Sequence, residues 1–223
     1  MKSYYFRHIF NKGPLMTTSK LLSRTFILLS GFCLFTLASH GSAAEMDHSA
    51  HQAMMKQKND AKQSRAHYQI PDVNLLNQDG ETVNLQQLLK DSEPYALNFI
   101  FTTCTTICPI LTISFSHMQS ELGEEADDLH IISITIDPDY DSPEVLKAYA
   151  EKVGATKNWT FLTGDPQAIV AAEKAFDSNT PNKMDHKPTY FFKFKSSDEW
   201  IRVDGLSSGS DLAGIYQANL LFR

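Results

Sequence analysis

Tyr95-Ala-Leu-Asn-Phe-Ile-Phe-Thr-Thr-Cys104-Thr-Thr-Ile-Cys108-Pro109 is the stretch on which the reading of this chain turns. Its first seven residues (YALNFIF) form a short apolar, aromatic run, the pattern of a strand buried on both faces. Thr102-Thr103-Cys104 ends that run, and a helix is expected from about Thr105 or Cys108 to Leu122. The two thiols are four residues apart. On a helix that spacing places both on one face, with Cα atoms ~6 Å apart, towards the far end of what a disulfide spans. A bridge there would be reducible, and closing so short a loop would add little stability. A helix start also lowers a thiol's pKa and favours thiolate, which is both a nucleophile and a soft metal ligand.

Outward from this stretch, strands and helices alternate. Residues 73–76 and 82–85 flank Asn77-Gln78-Asp79-Gly80, a hairpin signal that ends in Asp-Gly. Residues 130–136 (HIISITI) read as a second buried strand. Asp141-Ser142-Pro143-Glu144 is a helix start, with an Asp or Ser cap and Pro in the first turn; Gly154 ends that helix after about Val153. Strands at 159–162, 189–194 and 200–203 and helices at 166–176 and 211–221 complete the pattern. Such alternation predicts an α/β sheet, and the closing hairpin makes that sheet mixed.

Residues 1–44 are read apart from the fold. Lys20 and Arg24 precede an apolar run from residue 26 to 38, and Ser42-Ala43-Ala44 offers the small residues a signal peptidase reads. A secretory signal peptide is expected, with an uncleaved membrane anchor as the alternative. The expected location is the periplasm, or the periplasmic side of the inner membrane if the anchor stays. Cys33 lies in the apolar run and leaves with it, so Cys104 and Cys108 remain as a pair in an oxidising compartment. Residues 45–66 hold few branched or aromatic side chains and read as a flexible lead-in, and residues 67–223 as one domain. Five of the 20 Lys+Arg and none of the 26 Asp+Glu lie in residues 1–44, which leaves residues 45–223 with a net charge near −11. So acidic a balance argues against nucleic acid as a partner, and membrane contact is expected only through an uncleaved leader.

The motifs resemble those of one family. Phe101-Thr-Thr-Cys104-Thr-Thr-Ile-Cys108-Pro109 is similar to the signature of the Sco (SenC/PrrC-like) proteins. So is Ile134-Thr-Ile-Asp137-Pro138-Asp139-Tyr140-Asp141-Ser142-Pro143, followed by Leu146 and Tyr149-Ala150. Met184-Asp185-His186 falls where that family places a copper-binding histidine. The resemblance covers roughly residues 68–223, with the three motifs in the family's order. It implies a thioredoxin-like fold with a mixed central sheet flanked by helices, which the order of elements also suits. It implies copper, as Cu(I) or Cu(II), held by Cys104, Cys108 and His186, and a role in assembling the copper centre of cytochrome c oxidase. The partner implied is the copper-receiving subunit of an oxidase or another periplasmic copper protein. Some members act mainly as thiol-disulfide reductants for that centre, which gives the alternative reading of an oxidoreductase with a thiol reductant partner.

His186 lies 78 residues after Cys108, so only folding brings it to the thiols. Two features depart from the family pattern. The interval to His186 is short, and Lys187-Pro188-Thr189 resembles the thioredoxin loop that faces the thiols, which favours disulfide exchange. Met184 is a candidate soft thioether ligand. Asp137 is a candidate for orienting a ligand from outside the coordination shell, against the plainer role of organising a turn; for Asp141 turn formation and helix capping are expected. His48 and His51, with Met46, Met54 and Met55, give the lead-in donors suited to weak copper capture. A peroxidase reading fails at Phe101, which stands where peroxiredoxins need Thr or Ser.

Overall fold

Every side chain of strand β4 (Tyr95–Ile100) is buried. The computed structural model describes residues 61–91, 94–195 and 198–220, and β4 runs through the middle of them. Its alternate residues face opposite ways. Ala96 and Ile100 join a core on one side of the sheet, while Tyr95, Leu97 and Phe99 join a second core on the other. A strand packed on both faces has no use for polar alternation, which is why its sequence is a continuous apolar run.

Around it are β1 (Lys62–Ala66), β2 (Asn74–Asn77), β3 (Thr82–Asn84), β5 (His130–Thr135), β6 (Trp159–Thr163), β7 (Thr189–Lys193) and β8 (Trp200–Asp204). They form one sheet in the order β1-β8-β7-β4-β5-β6-β2-β3. β4, β5 and β6 are parallel and the remaining pairs antiparallel, so the sheet is mixed, as expected.

The helices are α1 (Leu85–Asp91), α2 (Ile107–Leu122), α3 (Pro143–Lys152), α4 (Pro166–Ala175) and α5 (Gly209–Leu220). Leu111, Phe115 and Met118 of α2 pack with Leu212 and Tyr216 of α5 and Leu146 of α3 on one face. Leu85 and Leu89 of α1 pack with Ile169 and Ala172 of α4 on the other. Each fully buried Leu, Ile, Phe or Met among them contributes roughly 1.5–3 kcal/mol. Gly209 is required by the closeness of α5 to α2: a Cβ there would stand 2.4 Å from that of His117.

Three expectations need correction. The lead-in was expected to run to residue 66, but Lys62–Ala66 pairs antiparallel with β8 as an edge strand. Its residues (KQSRA) are largely exposed, so backbone pairing rather than side-chain burial makes this strand. Strand β3 stops at Asn84, and Leu85 instead opens α1, where Leu85 and Leu89 lie one turn apart on the buried side. The cap of α3 is Ser142, whose hydroxyl accepts the Val145 N–H at 3.4 Å, and not Asp141. The expected leader (residues 1–44), His48 and His51 lie outside the described residues.

Parallel β4, β5 and β6 end at the same edge of the sheet, where ligand sites of open α/β sheets form. The residues that follow β4 and β5 therefore come together. Antiparallel β7 starts at that edge too, because Tyr190 pairs with Asn98 near the end of β4. The chain just before β7, which includes His186, is thus delivered to the same end.

Candidate dithiol and metal centre

Cys104 and Cys108 sit where β4 runs into α2, and both are free thiols. Cys108 is fully buried; Cys104 keeps 6 % exposure. The helix begins at Ile107, so Cys104 lies outside it and Cys108 in its first turn. Helical periodicity is therefore not what brings the sulfurs together. Thr106, at the cap position, makes no side-chain cap bond. The Cys108 backbone N–H donates instead to the Cys104 sulfur at 3.4 Å, and the Thr106 hydroxyl stands 3.6 Å from that sulfur. Cys104 thus supplies the acceptor that an uncapped helix start lacks.

This arrangement separates the two thiols chemically. Burial pushes the Cys104 thiol up, but hydrogen bonds from Cys108 and Thr106 outweigh it and bring the pKa down from 9.0 to about 7. Cys108 is pushed far up, chiefly by burial, with Cys104 and Asp141 adding to the rise and the Phe101 backbone N–H opposing it. One sulfur is a ready thiolate near neutral pH and the other is held as a thiol. Behind them the Thr112 hydroxyl donates to the Cys108 carbonyl at 2.8 Å and meets the Tyr149 hydroxyl at 3.0 Å.

His186 is buried, and its Nε2 lies 2.9 Å from the Phe99 carbonyl oxygen. A carbonyl only accepts, so Nε2 carries the proton and Nδ1 carries the lone pair. Burial lowers the His186 pKa, with the Phe99 contact opposing, and favours the neutral ring. Asp137 accepts from Lys183 Nζ at 2.5 Å, and the same ammonium lies 5.5 Å from the centre of the Phe101 ring. Lys183 and Asp137 thereby join the histidine segment to the end of β5 and to the residue that opens the thiol turn.

The expected ligand set is thus only partly gathered. Cys104 and Cys108 are joined by the N–H to sulfur bond; His186 reaches the end of β4 but hydrogen-bonds to its backbone. Among the described residues no group of three or more His, Cys, Asp or Glu stands ready to hold a metal ion. Met184, at 65 % exposure, packs against no core. The donors nevertheless suit a thiophilic metal: two sulfurs, one already acidic, and a neutral imidazole with a free lone pair. Sequence reading named Asp141 and Asp137 but missed their partners, Thr102 at a separation of 39 residues and Lys183 at 46.

A mixed sheet with helices on both faces and a free dithiol at its strand-to-helix turn defines a thioredoxin-like dithiol protein. Residues 61–199 match the family model described as SCO1/SenC, and the chain belongs to that family. It is 39% identical to the SCO1 protein homolog of Bacillus subtilis (strain 168) over 104 residues, which are 46% of this chain and 53% of that protein. The match therefore spans about half the length of that relative. Among solved structures it resembles BsSco, described as having a disulfide switch and as a member of the Sco family of cytochrome c oxidase assembly proteins. That match has 28% identity and a TM-score of 0.58, covering 70% of this chain and 95% of the other. Arabidopsis thaliana ScoI with copper bound shares the fold at 20% identity and a TM-score of 0.59, over 71% of this chain and all of that one.

Proposed function

We propose that this chain is a periplasmic copper-binding metallochaperone that supports assembly of the copper centre of a cytochrome c oxidase. Copper is its cargo, taken by Cys104, Cys108 and His186. The observation that carries the reading is the pair of free thiols in which the Cys104 sulfur, at a helix start, accepts the Cys108 backbone N–H. Both thiols must give up their protons to the metal, so affinity falls as pH falls. Cys104 yields its proton near neutral pH, whereas Cys108 holds its own until the metal displaces it. His186 arrives neutral, with Nδ1 as its donor, and joins the thiols through a shift of its loop. Asp137 acts on that loop through Lys183 rather than as a donor. Exposed Met184 and the lead-in's His48 and His51 are accessory soft and imidazole donors for transfer. The basic, apolar and small-residue pattern of residues 1–44 supports export.

A second reading is favoured by the unequal thiols: the pair reduces cysteines of an oxidase subunit or another copper protein. The Cys104 thiolate attacks one sulfur of the partner's disulfide and releases the other as a thiol. Cys108 then loses its proton and displaces the partner from Cys104, leaving a reduced partner and a Cys104–Cys108 disulfide. Two electrons and two protons pass to the partner.

The deciding measurement is metal analysis with absorption spectroscopy on the reduced domain loaded with Cu(I) or Cu(II). Sulfur-to-copper charge-transfer bands are expected with Cu(II) and should vanish in Cys104→Ser. His186→Ala should lose tight copper binding and keep dithiol exchange. Copper bound by His186→Ala as tightly as by wild type would remove His186 from the ligand set.

A further inference from the structure

Asp141 is fully buried, and neutral groups on two different strands' ends converge on its carboxylate. Oδ2 accepts the Thr102 backbone N–H at 3.1 Å and the Thr135 hydroxyl at 2.5 Å. Oδ1 accepts the Thr102 hydroxyl. A carboxylate removed from water is costly unless it is satisfied, and these three donors offset that cost. Helix capping does not explain the burial, because Ser142 caps α3.

What Asp141 holds is the turn between strand and thiols. Thr102 follows Phe101, whose carbonyl accepts the Cys104 N–H at 3.2 Å. The Cys108 N–H donates in turn to the Cys104 sulfur at 3.4 Å. The backbone on one side of Thr102 thus holds Cys104, which in turn holds Cys108, and Thr102 is fixed by its N–H and its hydroxyl together. Two bonds from one residue to one carboxylate constrain rotation as well as position.

We propose that Asp141 is a positioning residue for the dithiol, fixing through Thr102 the turn that sets the two sulfurs against each other. This rests on the dithiol reading and not on copper. Loosening the turn lowers the effective concentration of one sulfur at the other, so the disulfide becomes less favoured and the pair less reducing.

The test is equilibration of the metal-free protein with glutathione: protein dithiol plus oxidised glutathione gives protein disulfide plus two reduced glutathiones. Two electrons and the two thiol protons pass to glutathione. Asp141→Asn should lower the equilibrium constant for disulfide formation about tenfold, which is ~30 mV towards a weaker reductant. Thr102→Val should lower it roughly threefold by removing one of the bonds, and Thr102→Ser should restore it. Ser142→Ala, a neighbour that caps a helix without touching the thiol turn, should lower stability and leave the constant unchanged. Should Asp141→Asn fail to fold, the Thr102 pair decides. Constants within twofold of wild type in every folded Asp141 or Thr102 variant, with stability reduced, overturn the proposal and leave Asp141 a structural residue. A wild-type pair that forms no disulfide at any glutathione ratio overturns it by removing the dithiol reading itself. Failure of wild type to bind copper, with the glutathione pattern as expected, removes only the copper reading.

Discussion

The thiol turn and the histidine loop lie at the same end of the sheet and are held there by different means. Between Phe101 and Cys108 the side chains of Thr103, Thr105 and Thr106 are exposed, but the anchoring side chains are not. Phe101 and Cys104 are buried, Cys108, Thr135 and Asp141 have no solvent exposure, and α2 behind them is packed on the core. Along Lys183–Asp185 every residue is exposed, and only His186 turns inward, onto a backbone carbonyl. Buried hydrogen bonds and apolar packing give a fixed geometry, whereas a partly exposed ion pair and one imidazole contact give one that yields. The Cys104 sulfur is already engaged by the helix start, whereas His186 lies at the same end of the sheet and is engaged with the β4 backbone. On the proposed function, movement during copper capture therefore belongs to the histidine side.

The strongest way to break this contrast is to loosen the firm half. Phe115 is fully buried on α2, seven residues after Cys108, and packs edge-on against Trp159 and Tyr190. Phe115→Ala should cost ~3–5 kcal/mol in urea denaturation, the range for deleting a core aromatic. A loss below about 1 kcal/mol would mean that this core does not anchor the thiol helix.

The next effect is a pH dependence confined to one thiol. With its pKa lowered to about 7, Cys104 gains thiolate as pH rises through that value and loses it as pH falls. Iodoacetamide modification of the reduced protein should therefore be half-maximal near pH 7 and about tenfold below its plateau one unit lower. Cys108, raised by burial, should stay unmodified throughout. A single midpoint near the ordinary 9.0, or equal labelling of both residues, would erase the difference between the thiols.

The sheet and most helices were legible because their signals are local. Continuous apolar runs gave β4 and β5, and Ser142-Pro143 gave the start of α3. The thiol pair was legible as a pair, but its geometry was misread. A four-residue spacing suggested one helical face, whereas the Cys104 sulfur stands outside the helix and accepts a backbone N–H from it. Strand β1 carries no alternating pattern, since it is ordered by pairing with β8. Helix α1 did leave a signal: Leu85, Leu88 and Leu89 recur at helical spacing just after the hairpin. Asp141 and Lys183 left none, because their partners are distant in sequence and a buried acid and a surface lysine look alike until the chain folds. The family resemblance named the three donors, but no pattern in the chain told that His186 would be hydrogen-bonded to Phe99.

The smallest expected effect bears most directly on the yielding half. Lys183 reaches Asp137 and lies over the Phe101 ring, but its side chain is 43% exposed, so both contacts are weakened by water. Lys183→Met should leave the urea midpoint almost unchanged. Hydrogen exchange at the Asp185 and His186 amides, which close the short turn over Asn182 and Lys183, should speed up by no more than about fivefold. Lys183→Arg should restore protection by keeping the charge. Because the pair is partly exposed, about 1 M salt should weaken wild-type protection towards that of Lys183→Met and leave the variant itself unaffected. Amides from Phe101 to Cys108 should not respond to either change. Equal acceleration on both sides would mean that thiol turn and histidine loop open as one unit, with no separately movable His186.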